Sequence, residues 1–325
     1  MKKKRAELEK KRKTRPWRWD ENPGKPPSND LVEQLQDQME AILKTDIYEQ
    51  FWDTKKFKEQ LDVIEKFKRG LANEIDEKLI IENFDVIVRW MTIKFYEKNP
   101  QVLLKTIELL DMILMSYQDQ GLKLTEYETN SFLQHILNQI VNPKEALARP
   151  IADMITNRIS KIFPVSKIVP YLYPGGYKSK NARQRLECIK SISILLNNAE
   201  GWKEVFGPDP KHFKATIKEL ANLIGTDNDR PTKSQILDLL VSIGKFIGKT
   251  KLEDYVGDMG GDKNKSMLME RIKHAPFNLD TPKKNSGPGP KIMKPVQIRE
   301  HQHENSKNPE SLALNKGVES NSSGT

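Results

Sequence analysis

Basic and amide side chains recur at the polar breaks of this chain, and their types suit recognition of an acidic surface better than bond-making. Lys98 and Asn99 stand in EKNPQ (97–101), Lys144 in VNPKE (141–145), Lys178, Lys180 and Asn181 in YKSKN (177–181), and Arg230 in TDNDR (226–230). Arg183, Arg185 and Lys233 follow the last two breaks, and Lys105 and Arg149 take matching places after the second and third. Ammonium and guanidinium groups donate charge-assisted hydrogen bonds to carboxylates, so donors strung along one edge would meet an acidic, acceptor-rich protein. A first break, WDTKK (52–56), adds Trp52 and Lys55. A loop tryptophan can anchor an interface, and Trp52 or Phe51 can equally pack inward and close the first helical pair. Lysines also solvate ordinary loops. A cation at a helix N-terminus opposes the helix dipole, so several placed there tilt toward binding without excluding the plain reading.

Signals for catalysis are poor. GPGPK (287–291) lacks the closing Gly-Lys-Ser/Thr of a phosphate-binding loop. His301 and His303 in HQH have no nearby cysteine and weak carboxylate support for a metal. Cys188 lies in a helical pattern, QRLECIKSI, and reads as core. Asp227 and Asp229 resemble half a calcium loop, but neither the glycine at the sixth place nor the glutamate at the twelfth follows. The chain reads as a non-enzyme with no metal and no cofactor.

Helices must position the breaks. Leu103, Ile107, Leu110 and Leu114 form one helical stripe; Leu61, Ile64, Phe67 and Leu71 form another, and Phe132, Ile136, Leu137 and Ile140 a third. No run alternates cleanly between hairpin turns, which argues against β-sheet. Taking Asp53, Lys98, Pro143, Ser179 and Asn228 as markers, the breaks recur at 45, 45, 36 and 49 residues. That brackets the period of HEAT and armadillo units, in which two antiparallel helices bury their apolar faces only by stacking on neighbours. The expected fold is an all-α HEAT-repeat solenoid of about six hairpins, with the breaks aligned along one edge.

Composition sets the outer limits. A single cysteine excludes a disulfide framework and fits a reducing compartment. No apolar run approaches the ~20 residues of a membrane span, and the N-terminus lacks a secretory apolar core. The net charge of +9 is uneven: residues 1–19 hold +8, 20–275 about −1 and the tail +2. Three regions follow: a basic, Pro/Gly-rich arm and linker at 1–30, a helical domain at 31–275, and a disordered tail at 276–325. The arm is expected to be disordered, or at most a short charged helix in RAELEKKRK, with affinity for polyanions. Its RPWRW invites base stacking, but Glu7 and Glu9 interrupt the basic run and disfavour nucleic acid as the main partner.

Five stretches together carry a family likeness: WMTIKFYEKNPQVLLKTIELLDMI, LTEYETNSFL, PVSKIVPYL, KSKNARQRLECI and KSMLMERIK. From about Trp19 to Lys273 the chain resembles the TOG domain of the microtubule-polymerase family, most closely the fourth of its arrayed domains. The resemblance implies a flat paddle of six HEAT repeats that binds curved αβ-tubulin through the loops of one edge. It places tubulin contacts at Asn99 and Val102, with Lys98 and Lys105 beside them, at Lys144 and Arg149, at Lys180, Asn181 and Arg185, and at Lys233 with Arg230 near; the basic fourth break adds Lys178 to the expected set. Many such domains carry a first-loop tryptophan where this chain has Thr54 or Lys55; here Trp52 stands slightly earlier. Pro150 and Pro231 also depart from the pattern, and Pro150 is expected to distort its helix.

The resulting expectation is a protein that binds tubulin and microtubules and supports plus-end growth and spindle organisation in the cytoplasm, at spindle poles or kinetochores. Residues 2–18 would touch acidic tubulin tails, and no membrane is involved. Two alternatives stay open: a HEAT scaffold that takes a partner in its groove without tubulin, and arm-driven nucleic-acid binding.

Overall fold

A computed structural model describes residues 2–13, 27–43, 57–97, 99–140, 145–172, 177 and 179–276. Among them the chain is helical, and the helices form two rows. The first row holds α2 (Asn29–Glu40), α5 (Phe84–Lys94), α7 (Glu126–Gln139), α9 (Val165–Pro170), α12 (Pro210–Thr226) and α14 (Lys249–Val256). The second holds α3 (Phe57–Gly70), α6 (Pro100–Asp119), α8 (Glu145–Met154), α10 (Ala182–Asn198), α13 (Arg230–Ile247) and α15 (Asp262–Lys273). Short helices α4 (Glu74–Glu82) and α11 (Trp202–Phe206) complete the hairpins. Hairpin partners pack on each other at α5 with α6, α7 with α8 and α12 with α13, and neighbours of one row pack at α2 with α5, α5 with α7, α3 with α6, α10 with α13 and α12 with α14, so one continuous core runs between the rows.

Local chemistry sets the helix starts. Asn99 accepts the backbone N–H of Gln101 ahead of Pro100, and Asp229 accepts that of Thr232 ahead of Pro231. Proline at the first helical turn gives up only an N–H that has no partner there anyway. Thr125 and Glu128 form a reciprocal capping box on α7. The predicted stripes face inward: Leu103, Ile107, Leu110 and Leu114 are buried, as are Ile64, Phe67, Phe132, Ile136, Leu137 and Ile140, while Leu61 and Leu71 pack at the margin. Cys188 is core, and burial pushes its thiol up to about 12.

Pro150 lies inside α8 without ending it. The helix runs on into a π turn over Ile155–Ile159 and a final turn at Ser160–Ile162.

The N-terminal arm differs from the expectation of disorder. Lys2–Arg12 form a helix, α1, held against the body by ion pairs. The Pro/Gly-rich linker and the tail from 277 onward lie outside the described residues. Among the described residues no helix is long and apolar enough to cross a membrane.

Candidate functional site

Antiparallel hairpins stacked side by side put the described links between first-row and second-row helices, around 95–99, 179–181 and 227–229, along one edge. Cross-turn contacts hold that edge together. The Tyr96 hydroxyl, in the second turn, lies 2.9 Å from His135 Nδ1 near the third. Arg185 Nε and Nη2 donate to the two Asp227 carboxylate oxygens at 2.7 and 2.8 Å, and Nη1 donates to the carbonyls of Ser179 and Lys180 at 2.8 and 3.2 Å. One guanidinium thus buckles the fourth turn to the fifth. The opposite edge has its own ties, from Leu124 N–H and Lys123 Nζ to the carbonyls of Ile162 and Lys161.

The predicted contact residues separate into three groups. Trp52, Lys55, Lys98, Lys144 and Lys178 lie outside the described residues. Arg149 is exposed within the first half of α8, Lys180 and Asn181 in the fourth turn, and Arg230 at the first residue of α13. The Arg149 side chain is 87% exposed, with Asp153 4.0 Å away, and Asn181 caps α10 by accepting the Gln184 N–H at 3.3 Å. Amides that cap a helix with their oxygen still present an N–H pair outward, which fits Asn99 and Asn181 equally.

The third group is buried or engaged by contacts within the fold. Val102 is fully buried, so it anchors α6 in the core and is not a surface contact; its carbonyl accepts the Thr106 hydroxyl at 2.7 Å. Arg185 is largely buried and spends its fork on Asp227, so it positions two turns instead of reaching out. Lys105 is shared with its own helix, donating to Glu108 at 2.8 Å while Lys68 donates to the same oxygen at 2.6 Å. Burial alone would raise the Glu108 carboxyl, but the two ammonium groups outweigh it and hold it low. Lys233 is half-buried at the start of α13 and adds to the positive field on Asp227.

Asp227 stands outside the predicted contact set and shows in the sequence only as part of an incomplete calcium loop. It accepts the Asp229 N–H at 2.8 Å as well as the Arg185 fork, and Asp229 caps α13, so both acids are committed to turn structure. The spacing of 42 residues between Arg185 and Asp227 gives no local sign of the pairing; only the repeat period, one unit apart, could have suggested it. Among the described residues no group of His, Cys, Asp and Glu could hold a metal ion.

The edge can therefore offer cations and amides along a row of turns. No family model matches the chain. It is 32% identical to Protein mini spindles of Drosophila melanogaster over 251 residues, 77% of this chain and 12% of that protein's length. It thus spans a small fraction of that relative. Among solved structures, the TOG domain of Caenorhabditis elegans Zyg9 matches with a TM-score of 0.71 and 29% identity, covering 85% of this chain and 96% of that one. A structure described as "TOG-tubulin binding specificity promotes microtubule dynamics and mitotic spindle formation" matches with a TM-score of 0.69 and 29% identity, covering 83% and 96%. Both are HEAT-repeat solenoids of the architecture seen here. In sequence and in fold the chain belongs to the TOG-domain family that includes Mini spindles and Zyg9.

Proposed function

We propose that residues 31–275 form a tubulin-binding TOG domain, most like the fourth of an array, that binds αβ-tubulin through the edge of intra-hairpin turns. One observation carries the reading: Arg149, Lys180, Asn181 and Arg230 are exposed in or just after the links of successive hairpins of a fold whose solved relative is described in terms of TOG-tubulin binding. Lys98, Lys144 and Lys178 would extend the row, and Arg185 would set the spacing between its last two turns. The function is non-enzymatic. Within a longer array or a dimer the domain would raise local tubulin concentration at plus ends through linked binding. Growth is promoted when curved tubulin is held more tightly than straight tubulin, a difference in affinity between two conformations. Microtubules, spindle poles and kinetochores are the corresponding cellular sites.

The test is size-exclusion chromatography of the full chain with unpolymerised αβ-tubulin at low salt. Co-elution is expected, and it should be lost in the K98E/K180E/K233E variant while far-ultraviolet circular dichroism stays that of the wild type. A scaffold reading has one supporting observation, an apolar cavity of about 450 Å³ lined by Val169, Pro170, Phe206 and Pro208 between α9 and α12. A groove binder would be indifferent to charge reversal at the turns, and unchanged co-elution of the variant would remove the edge assignment.

A further inference from the structure

The basic helix α1 sits on an acidic cradle of the body, far from the edge of intra-hairpin turns. Arg5 Nε donates to Glu128 Oε1 at 2.8 Å, its Nη2 pairs with Glu128 Oε2 and donates to the Lys123 carbonyl at 2.8 Å, and its guanidinium lies 4.8 Å from the Tyr117 ring centroid. Two helical turns on, Arg12 donates to Asp85 and Asn83, both at 2.6 Å. Lys4 lies 3.0 Å from Glu82, whose side chain is 1% exposed. Arg5 and Arg12, seven residues apart, fall on one helix stripe, whereas Lys3 and Lys10 face solvent.

Three facts make this contact conditional. The docked face is charged: between Arg5 and Arg12 it carries Leu8 and Glu9, and in all α1 holds two apolar residues, Ala6 and Leu8. Attraction between opposite charges, not apolar burial, holds it in place, and salt weakens such attraction. An 11-residue helix is marginal alone in water, so α1 keeps its structure only while docked. Finally, the cradle acids oppose the same cations that an acidic chain would seek, so the two compete.

We propose that Glu82, Asp85 and Glu128 form an intramolecular receptor for α1, withholding Arg5 and Arg12 from acidic polypeptides until such a polypeptide displaces the helix from the cradle. The device stands apart from the binding edge and does not rest on its assignment. Displacement exposes Arg5 and Arg12 together and releases Lys4 from Glu82, which gives the arm an all-or-none electrostatic response. By linkage, whatever the cradle contributes to holding α1 is subtracted from the arm's affinity for the competitor.

The test uses the full chain at low ionic strength with polyglutamate as the acidic probe. Amide hydrogen exchange over residues 2–13 is measured with and without saturating polyglutamate, and affinity is measured for the wild type, E82Q/D85N and E253Q/D254N. Expected are a loss of arm protection of about 10-fold on adding polyglutamate, and an affinity about 5-fold higher for E82Q/D85N, which keeps the side-chain shapes. E253Q/D254N removes the same charge away from the cradle and should change neither reading. Unchanged arm protection at saturation, equal affinities for E82Q/D85N and E253Q/D254N, or no polyglutamate binding by any of the three would overturn the proposal. So would light scattering that shows a dimer whose arm protection is lost on dilution, because the cradle would then be filled by a second copy.

Discussion

At the scale of single residues, the Arg185–Asp227 pair is where geometry decides most. The Asp227 side chain is 1% exposed, so a variant that removes the guanidinium strands a carboxylate in a site with little water. Breaking a buried pair from one side costs about 3 kcal/mol or more. Arg185→Met is therefore expected to lower stability by about that amount in urea unfolding, and R185M/D227L to recover much of it by removing both charges. The pH dependence follows from the same contact. Burial by itself would raise the Asp227 carboxyl, but the Arg185 fork and the Asp229 N–H overcome it and hold its pKa below the ordinary value. A depressed carboxyl pKa stabilises the fold above the unfolded value of about 3.9, and that contribution fades as pH falls through the folded value. The gap in thermal midpoint between wild type and Asp227→Asn should be widest near neutrality and close below about pH 4. A gap that holds constant down to pH 3 would mean that the charge of Asp227 adds nothing to folding.

At the scale of elements, the caps and one backbone crossing carry the predictions. Thr125→Ala removes half of the capping box on α7 and is expected to cost about 1 kcal/mol in thermal or denaturant unfolding. Gly225, near the end of α12, lies against Gly260 in the last turn; a Cβ at Gly225 would meet the Gly260 Cα at 3.3 Å, and Gly260 has φ +72°. Gly225→Val should push that turn away and cost about 2 kcal/mol. Much of this level was legible beforehand. The stripes through Leu103, Ile107, Leu110 and Leu114 gave the helices, because a two-row solenoid buries one face of each. Asn-Pro and Asp-Arg-Pro marked the starts of α6 and α13. The burial of Val102 was not legible, because a residue three places past a cap looks the same in sequence whether its helix turns it inward or outward. The seat of α1 was hidden for a different reason: Arg5 meets Glu128 across 123 residues, and a charged stripe reads as a solvated face until its acidic counterpart is seen.

At the scale of the molecule, each hairpin leans mainly on its neighbours, so damage should stay local. In amide hydrogen exchange, Gly225→Val is expected to deprotect 249–273 while leaving α5 and α7 near wild-type protection; uniform loss along the chain would instead indicate one cooperative unit. The stack is also unevenly braced. The guanidinium clamp ties the fourth and fifth hairpins at their turns, whereas the third contains Pro150 and the π turn at Ile155–Ile159, where the regular ladder of backbone hydrogen bonds is interrupted. A beam fastened at one joint and thinned at another flexes at the thin one. Compliance should therefore gather in the third hairpin, making it a spring between two stiffer halves. A partner whose curvature changes would be followed by bending there, with the fourth and fifth turns travelling together as one jaw.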